Sequence, residues 1–268
     1  MNLFILCGFT LVFFAIAWAV QTAALYAVGE GRVRWPFRHG SESRAVRSAL
    51  KLALGGGLLA MVALYPLAIG QDPWQYHLDK FTPARWGTAV RFALLAFGLL
   101  SVPLAVGVAA GWIEFKSRYP LPRLVVKVAK SFLIPIPLTI MEEPVFRGLV
   151  LEQLWQALPH GWWGEALAVV AAAAVFSVAH FAKEQKHYVL PALGLFAVGV
   201  VLNLAYLHSG HNYLLPIAVH AGGVWFIQMT RPMTTYHGPA WLIGYHSYPI
   251  GGAMGLAAVA LIGLLVSV

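Results

Sequence analysis

The chain has 268 residues, of which 60% are hydrophobic and only 10% charged, with a mean hydropathy of +0.73. A soluble domain carries roughly 25% charged residues, and a water-soluble fold of this size could not withdraw so much apolar surface. The same hydrophobicity excludes disorder. The net charge of +8 lies mostly in two loops, which reads as membrane orientation and gives no ground for a nucleic-acid partner.

Eight apolar spans follow one another at roughly 3–28, 49–70, 88–110, 131–155, 165–182, 188–207, 213–230 and 247–267. Their lengths near 20 residues, without in/out alternation, predict transmembrane helices in preference to a barrel. The expected fold is all-α and polytopic, with about eight transmembrane helices around an intramembrane polar site. Residues 1–268 form a single integral membrane domain. The first span lacks a basic leading region and reads as a retained helix. It holds the single cysteine, Cys7, read as a small buried hydrophobe. The loop at 30–47 carries Arg32, Arg34, Arg38, Arg44 and Arg47, and Gly55-Gly56-Gly57 in the second span predicts close helix packing. The loop at 71–87 has only Lys80 and Arg85, offset by Asp72 and Asp79. Segment 114–130 carries Lys116, Arg118, Arg123, Lys127 and Lys130, with Pro120 and Pro122, and predicts a short surface helix around 122–130. Positive-inside bias puts both basic segments in the cytoplasm and the N-terminus outside, and Lys183 and Lys186 agree. Trp35, Trp74, Trp86, Trp112, Trp162 and Trp163 fall near span ends as interfacial anchors. No internal repeat and no soluble domain is visible.

The fourth span reads Ile140-Met141-Glu142-Glu143-Pro144-Val145-Phe146-Arg147-Gly148. Each charge at mid-bilayer costs about 2.5–3.5 kcal/mol on insertion scales. Glu143 and Arg147 are four apart and share a helix face. Glu142 is turned about 100° away and lacks such a partner. It is therefore expected to hold the higher proton affinity of the two carboxyls. Pro144 supplies no N–H, so the Ile140 carbonyl loses its helix partner and a kink or a water is expected there. Phe176 and His180 are four apart in the fifth span, Asn203 lies in the sixth and His220 in the seventh. Two glutamates and two histidines on separate helices can meet in a polar cavity. There a carboxylate takes a proton from water, and imidazoles serve an oxyanion or a metal. Counted along the spans, His180 falls near the cytoplasmic end and His220 in the outer half, so convergence needs a longer, tilted or shifted helix. His208, His211, His237 and His246 read as solvated loop residues.

These pieces resemble a family: the CPBP intramembrane proteases, the CAAX-protease and bacteriocin-processing group. Its first motif, EExxxR followed by Gly, is matched by Glu142, Glu143, Arg147 and Gly148. FxxxH is matched by Phe176 and His180. The third motif, His with Asn or Asp four residues on, has His220 but Val224. The resemblance covers 131–232, the expected catalytic core. It implies that Glu142 activates water, Glu143 pairs with Arg147 and orients the site, and His180 and His220 bind the oxyanion. It also implies a membrane-associated protein or peptide as substrate, the lipid bilayer as surroundings, and a bacterial inner membrane as location. Prenylated substrates are not carried over. The family is often labelled metalloprotease. Zinc on Glu142, His180 and His220 is one option, and a glutamate-and-water route with no cofactor, favoured by the absence of HExxH, is the other. Val224 removes a polar partner that Asn203, Asn212 or a water would have to replace. It also motivates a second reading, a non-catalytic scaffold or immunity-type protein. A transporter would need repeat-related broken helices, and no repeat is found.

Overall fold

In lipid every backbone polar group must be satisfied within the chain, so the apolar stretches form helices. The computed structural model describes residues 2–27, 44–81, 86–117, 119–180, 189–246 and 248–267. In chain order these give α1 (Asn2–Ala27), α2 (Arg44–Ala68), the short α3 (Pro73–Leu78), α4 (Trp86–Ala109), α5 (Leu121–Leu133), α6 (Pro135–Glu143) and a π-helical segment (Pro144–Leu151). They continue with α7 (Glu152–Ala157), α8 (Trp162–His180), α9 (Val189–His208), α10 (Leu214–Thr230), the single turn α11 (Ala240–Ile243) and α12 (Ala253–Val266). A ribbon of β1 (Ile113–Phe115) and β2 (Thr234–Tyr236), paired antiparallel, is the only sheet among the described residues.

The chain is a polytopic, all-α membrane protein. Five of its helical runs are long and apolar enough to cross a bilayer, and Leu52–Ala68, Leu214–Thr230 and Ala253–Val266 are shorter apolar helices. Arg32, Arg34, Arg38, Lys183, Lys186, Arg118, Arg85 and Trp35 lie outside the described residues. Trp74, Trp86, Trp162 and Trp163 stand exposed near helix starts, whereas Trp112 is half-buried between α4 and β1. Phe4, Leu52, Val178 and Val189 also point outward, as side chains that meet lipid do. Cys7 is another of these: it is exposed, not buried as the sequence suggested, because α1 packs chiefly against α2 and turns its other faces outward.

α4 packs on α10, α8 on α9, and α12 on both α9 and α4. Small residues set these spacings. A Cβ on Gly57 would run into the Phe13 ring, and one on Gly222 into the carbonyl of Ala93. The core around the site includes Phe146, Phe176, Leu202, Phe226 and Ile262, and a second core includes Tyr65, Leu149, Tyr206 and Tyr213.

The fourth span, expected at 131–155, is part of a helical run over Leu121–Ala157, 37 residues long. Pro120 caps it and Pro122 lies in its first turn, where a missing N–H costs nothing. At 1.5 Å per residue such a run measures about 55 Å, against about 30 Å of hydrocarbon, so its ends project beyond the bilayer core. Pro144 opens the π-helical segment, a local answer to the carbonyl it leaves without a partner.

The far end of that segment is clamped. Tyr76 Oη donates to the Gly148 carbonyl at 2.6 Å. Glu152 Oε1 accepts from Tyr206 Oη and from His211 Nδ1, each at 2.6 Å, with Lys80 Nζ at 3.8 Å. His211, read from sequence as a solvated loop residue, is therefore a buttress of this knot, with its ring 4.5 Å from that of Trp155. His77 donates through Nε2 to the Val62 carbonyl at 3.0 Å and accepts the Tyr213 hydroxyl at Nδ1 at 3.1 Å. That arrangement needs a neutral ring, and burial pushes the His77 pKa down accordingly. Gly148 is closely confined: a Cβ there would collide with the Tyr213 hydroxyl oxygen and stand 2.9 Å from Cζ. Gly148→Ala should lower the melting temperature in detergent, overpacking of this kind costing about 1–3 kcal/mol. Tyr213→Phe in the same chain should recover part of the loss. An unchanged melt for Gly148→Ala would contradict this packing.

Candidate active site

Glu143 and Arg147 are both fully buried, one turn apart across Pro144. Arg147 Nη1 stands between the two oxygens of the carboxylate. It lies 3.2 Å from Oε1 with hydrogen-bond alignment and 3.1 Å from Oε2 without it. This is the pair that the i, i+4 spacing predicts. The guanidinium also donates through Nη2 to the Gly199 carbonyl at 3.4 Å. It lies 4.8 Å from the centre of the Phe176 ring and 5.9 Å from that of Phe146. Phe176 thus gives the buried cation an aromatic platform.

His220, in the second turn of α10, lies across from α6. Its Nδ1 donates to Glu143 Oε1 at 2.6 Å, and its Nε2 stands 3.8 Å from Glu142 Oε2. The hydrogen bond fixes a proton on Nδ1. Nε2 can donate only when the ring carries its second proton. His180, the last residue of α8, donates from Nδ1 to the Phe176 carbonyl at 2.8 Å. Its ring centre lies 4.4 Å from that of Phe176.

Glu142, His180 and His220 line one cavity of about 880 Å³. The limits of α8 and α10 depart from the expected spans by at most three residues at either end (162–180 against 165–182; 214–230 against 213–230). Packing brings the histidines together: α6 rests on α10, and α8 on the π segment. Two corrections follow. Glu143 does not line the cavity but lies behind His220, where Arg147 can neutralise it away from solvent. The cavity is also mainly apolar, walled by residues such as Leu100, Leu195, Val201 and Ile262, with Glu142, His180, His220 and Gln228 among its polar groups.

Val224 lines the same cavity. Neither asparagine proposed to compensate for it does so. Asn203 Nδ2 donates to the Val169 carbonyl at 2.9 Å, and Asn212 Oδ1 accepts the Leu214 N–H at 2.8 Å. The amide that faces the cavity is Gln228. Sequence reasoning passed over it, although His220, Val224 and Gln228 follow at four-residue steps on one face of α10. His246 also lines this cavity and is not merely a solvated loop residue. Among the described residues no three His, Cys, Asp or Glu side chains stand close enough to hold one metal ion. Glu142, His180 and His220 therefore do not form a ready ligand set in this arrangement.

Residues 122–226 match the family described as Type II CAAX prenyl endopeptidase Rce1-like. That segment contains all five site residues and is similar to the CAAX-type intramembrane proteases. No curated protein and no solved structure matches the chain.

Arg147→Ala should strand the buried Glu143 carboxylate, a loss of roughly 3–5 kcal/mol for a broken buried pair. The expected result is a sharp fall in monodisperse yield and in melting temperature after purification in detergent. Arg147→Lys should restore part of both, since it keeps the charge but not the reach to Gly199. Normal yield from Arg147→Ala would show that the pair does not hold the fold.

Proposed function

We propose that the protein is an intramembrane endopeptidase in which Glu142 activates water to hydrolyse a peptide bond. The observation that carries this is the placement of Glu142 and His220 Nε2 on one cavity, 3.8 Å apart, with the other ring nitrogen anchored on the buried Glu143–Arg147 pair. Glu142 takes a proton from a water, whose oxygen attacks the carbonyl carbon. The developing oxyanion accepts hydrogen bonds from Nε2–H of His220 and of His180, each ring then carrying its second proton. Collapse of the intermediate breaks the C–N bond, and Glu142 returns its proton to the leaving amine. Glu143 and Arg147 hold His220 in its orientation and charge state.

Gln228 completes this reading. Side chains on a helix lean toward its N-terminus. The longer amide of Gln228 therefore reaches back over the level of Val224, where the resemblance expects Asn or Asp. The largely apolar cavity suits a membrane-associated protein or peptide with apolar groups beside the scissile bond. The bias of basic residues supports a cytoplasmic position for the 114–130 segment, and a bacterial inner membrane is the location that the resemblance implies. Val224 is the feature that favours the other reading, a non-catalytic scaffold or immunity-type protein.

Two experiments bear on this. Purified protein in detergent should cleave members of a peptide library, and Glu142→Gln should abolish cleavage without changing the melt. Activity should survive exhaustive chelation. If chelation ends it and zinc alone restores it, the glutamate-only route is wrong, and Glu142, His180 and His220 become the candidate ligands. If wild type cleaves nothing, the scaffold reading stands. Gln228→Ala should lower kcat by roughly 10²-fold with little change in KM, as for loss of one oxyanion donor. Adding Val224→Asn to that variant should recover much of the rate. A Gln228→Ala enzyme with wild-type kcat removes the amide from the mechanism.

A further inference from the structure

A second cavity, of about 460 Å³, lies between α7, α8 and α9, at the end of α8 opposite His180. Its polar lining is Glu165, His208 and His211, with the indoles of Trp155 and Trp162, and no Lys or Arg among the described residues lines it. Glu165 sits in the first turn of α8 and pairs with no cation among the described residues. His211 is already oriented by the Glu152 knot. Its Nδ1 donates to Glu152 Oε1 at 2.6 Å, and its ring lies 4.5 Å from that of Trp155. Lys80 Nζ, 3.8 Å from the same oxygen, supplies the charge that Glu152 needs, so the imidazole serves as a neutral donor. In that tautomer Nε2 is an acceptor, and it makes no hydrogen bond among the described residues.

The cavity opens toward lipid. Trp163, Leu167 and Val170 follow at helical spacing on α8 and are exposed, on a helix long and apolar enough to cross a bilayer. Val170 belongs to that outward stripe and also lines the cavity. The inner wall is apolar, with Val169, Leu204 and Leu207. At 1.5 Å per residue the 19 residues of α8 measure about 28 Å, close to the thickness of the hydrocarbon core. The first turn of α8 therefore lies at the interface, where Trp162 and Trp163 also belong.

We propose that this cavity binds the primary ammonium of an aminophospholipid headgroup of the ethanolamine type. What the cavity offers is acceptors: the Glu165 carboxylate, the Nε2 lone pair of His211 and the π faces of two indoles. A primary ammonium brings three N–H donors and a positive charge to meet them. A quaternary ammonium has the charge without the donors, and a headgroup with an extra carboxylate would meet Glu165 with like charge. The opening past Val170 gives the acyl chains a path, which a water-soluble amine would not use. The proposal does not depend on hydrolysis, so it survives or falls apart from the protease reading.

The test is native mass spectrometry of the full chain in neutral-detergent micelles doped with equal phosphatidylethanolamine and phosphatidylcholine of matched acyl chains. Wild type should retain phosphatidylethanolamine selectively. The preference should fall stepwise for the mono- and dimethylated ethanolamine lipids, which lose N–H donors one at a time. Glu165→Gln should lower the selectivity about tenfold, as for loss of one hydrogen bond to a charged group. Val170→Trp should lower it as well, by filling the cavity from its lipid-facing side, and the melting temperature shows that each variant is folded. Glu114→Gln removes an exposed carboxylate elsewhere and should leave the selectivity unchanged. Equal retention of the two lipids by wild type would overturn the proposal. So would selectivity that persists in either folded variant, or that falls equally in the Glu114 control. Displacement of the lipid by millimolar ethanolamine would show a free-amine site and overturn the assignment to a lipid.

Discussion

A buried chain of charge, Arg147 to Glu143 to His220, is the constraint on which the site depends. Two adjacent glutamates in an apolar helix carry more negative charge than one arginine can balance. Arg147 answers Glu143 from within the same helix, and His220 answers from α10. That second contact ties α6 to α10 and fixes which ring nitrogen faces Glu142. Gly199 and Phe176 serve the same need from α9 and α8, one through its carbonyl and the other through its ring face. Four helices are thereby held around one guanidinium and one carboxylate.

The π-helical segment lies between this chain and a second polar knot. On one side are Glu143 and the catalytic cavity, and on the other Glu152 with Tyr206, His211 and Lys80. Pro144 makes regular α-helix unfavourable at one end of the segment, and Tyr76 holds the carbonyl of Gly148 at the other. The Tyr213 hydroxyl occupies the space that any side chain larger than glycine at position 148 would need. The glycine after the arginine is thus explained by packing rather than by backbone freedom.

The bilayer shapes the rest. The cavity that Glu142, His180 and His220 share is lined mostly by apolar side chains. On the proposed reading, a membrane-associated substrate reaches this cavity through lipid.

The sequence by itself determined what is local. Apolar stretches of bilayer length became helices, the four-residue spacing paired Glu143 with Arg147, and Pro144 marked the place where the α-helix gives way. The mixture of apolar and basic residues after Pro120 and Pro122 likewise announced a short surface helix, which is α5. Only the tertiary structure decided which helix faces meet. It placed Glu143 behind His220 instead of on the cavity, turned Cys7 outward, drew His211 into the Glu152 knot, and set Gln228 where Asn203 and Asn212 had been considered. The reason is physical. A helix that is apolar all round shows no preferred face, and lipid is as apolar as a neighbouring helix. Rotation is therefore set by close packing at residues such as Gly57 and Gly222 and by the few polar contacts between helices, which spacing along one strand of sequence does not reveal.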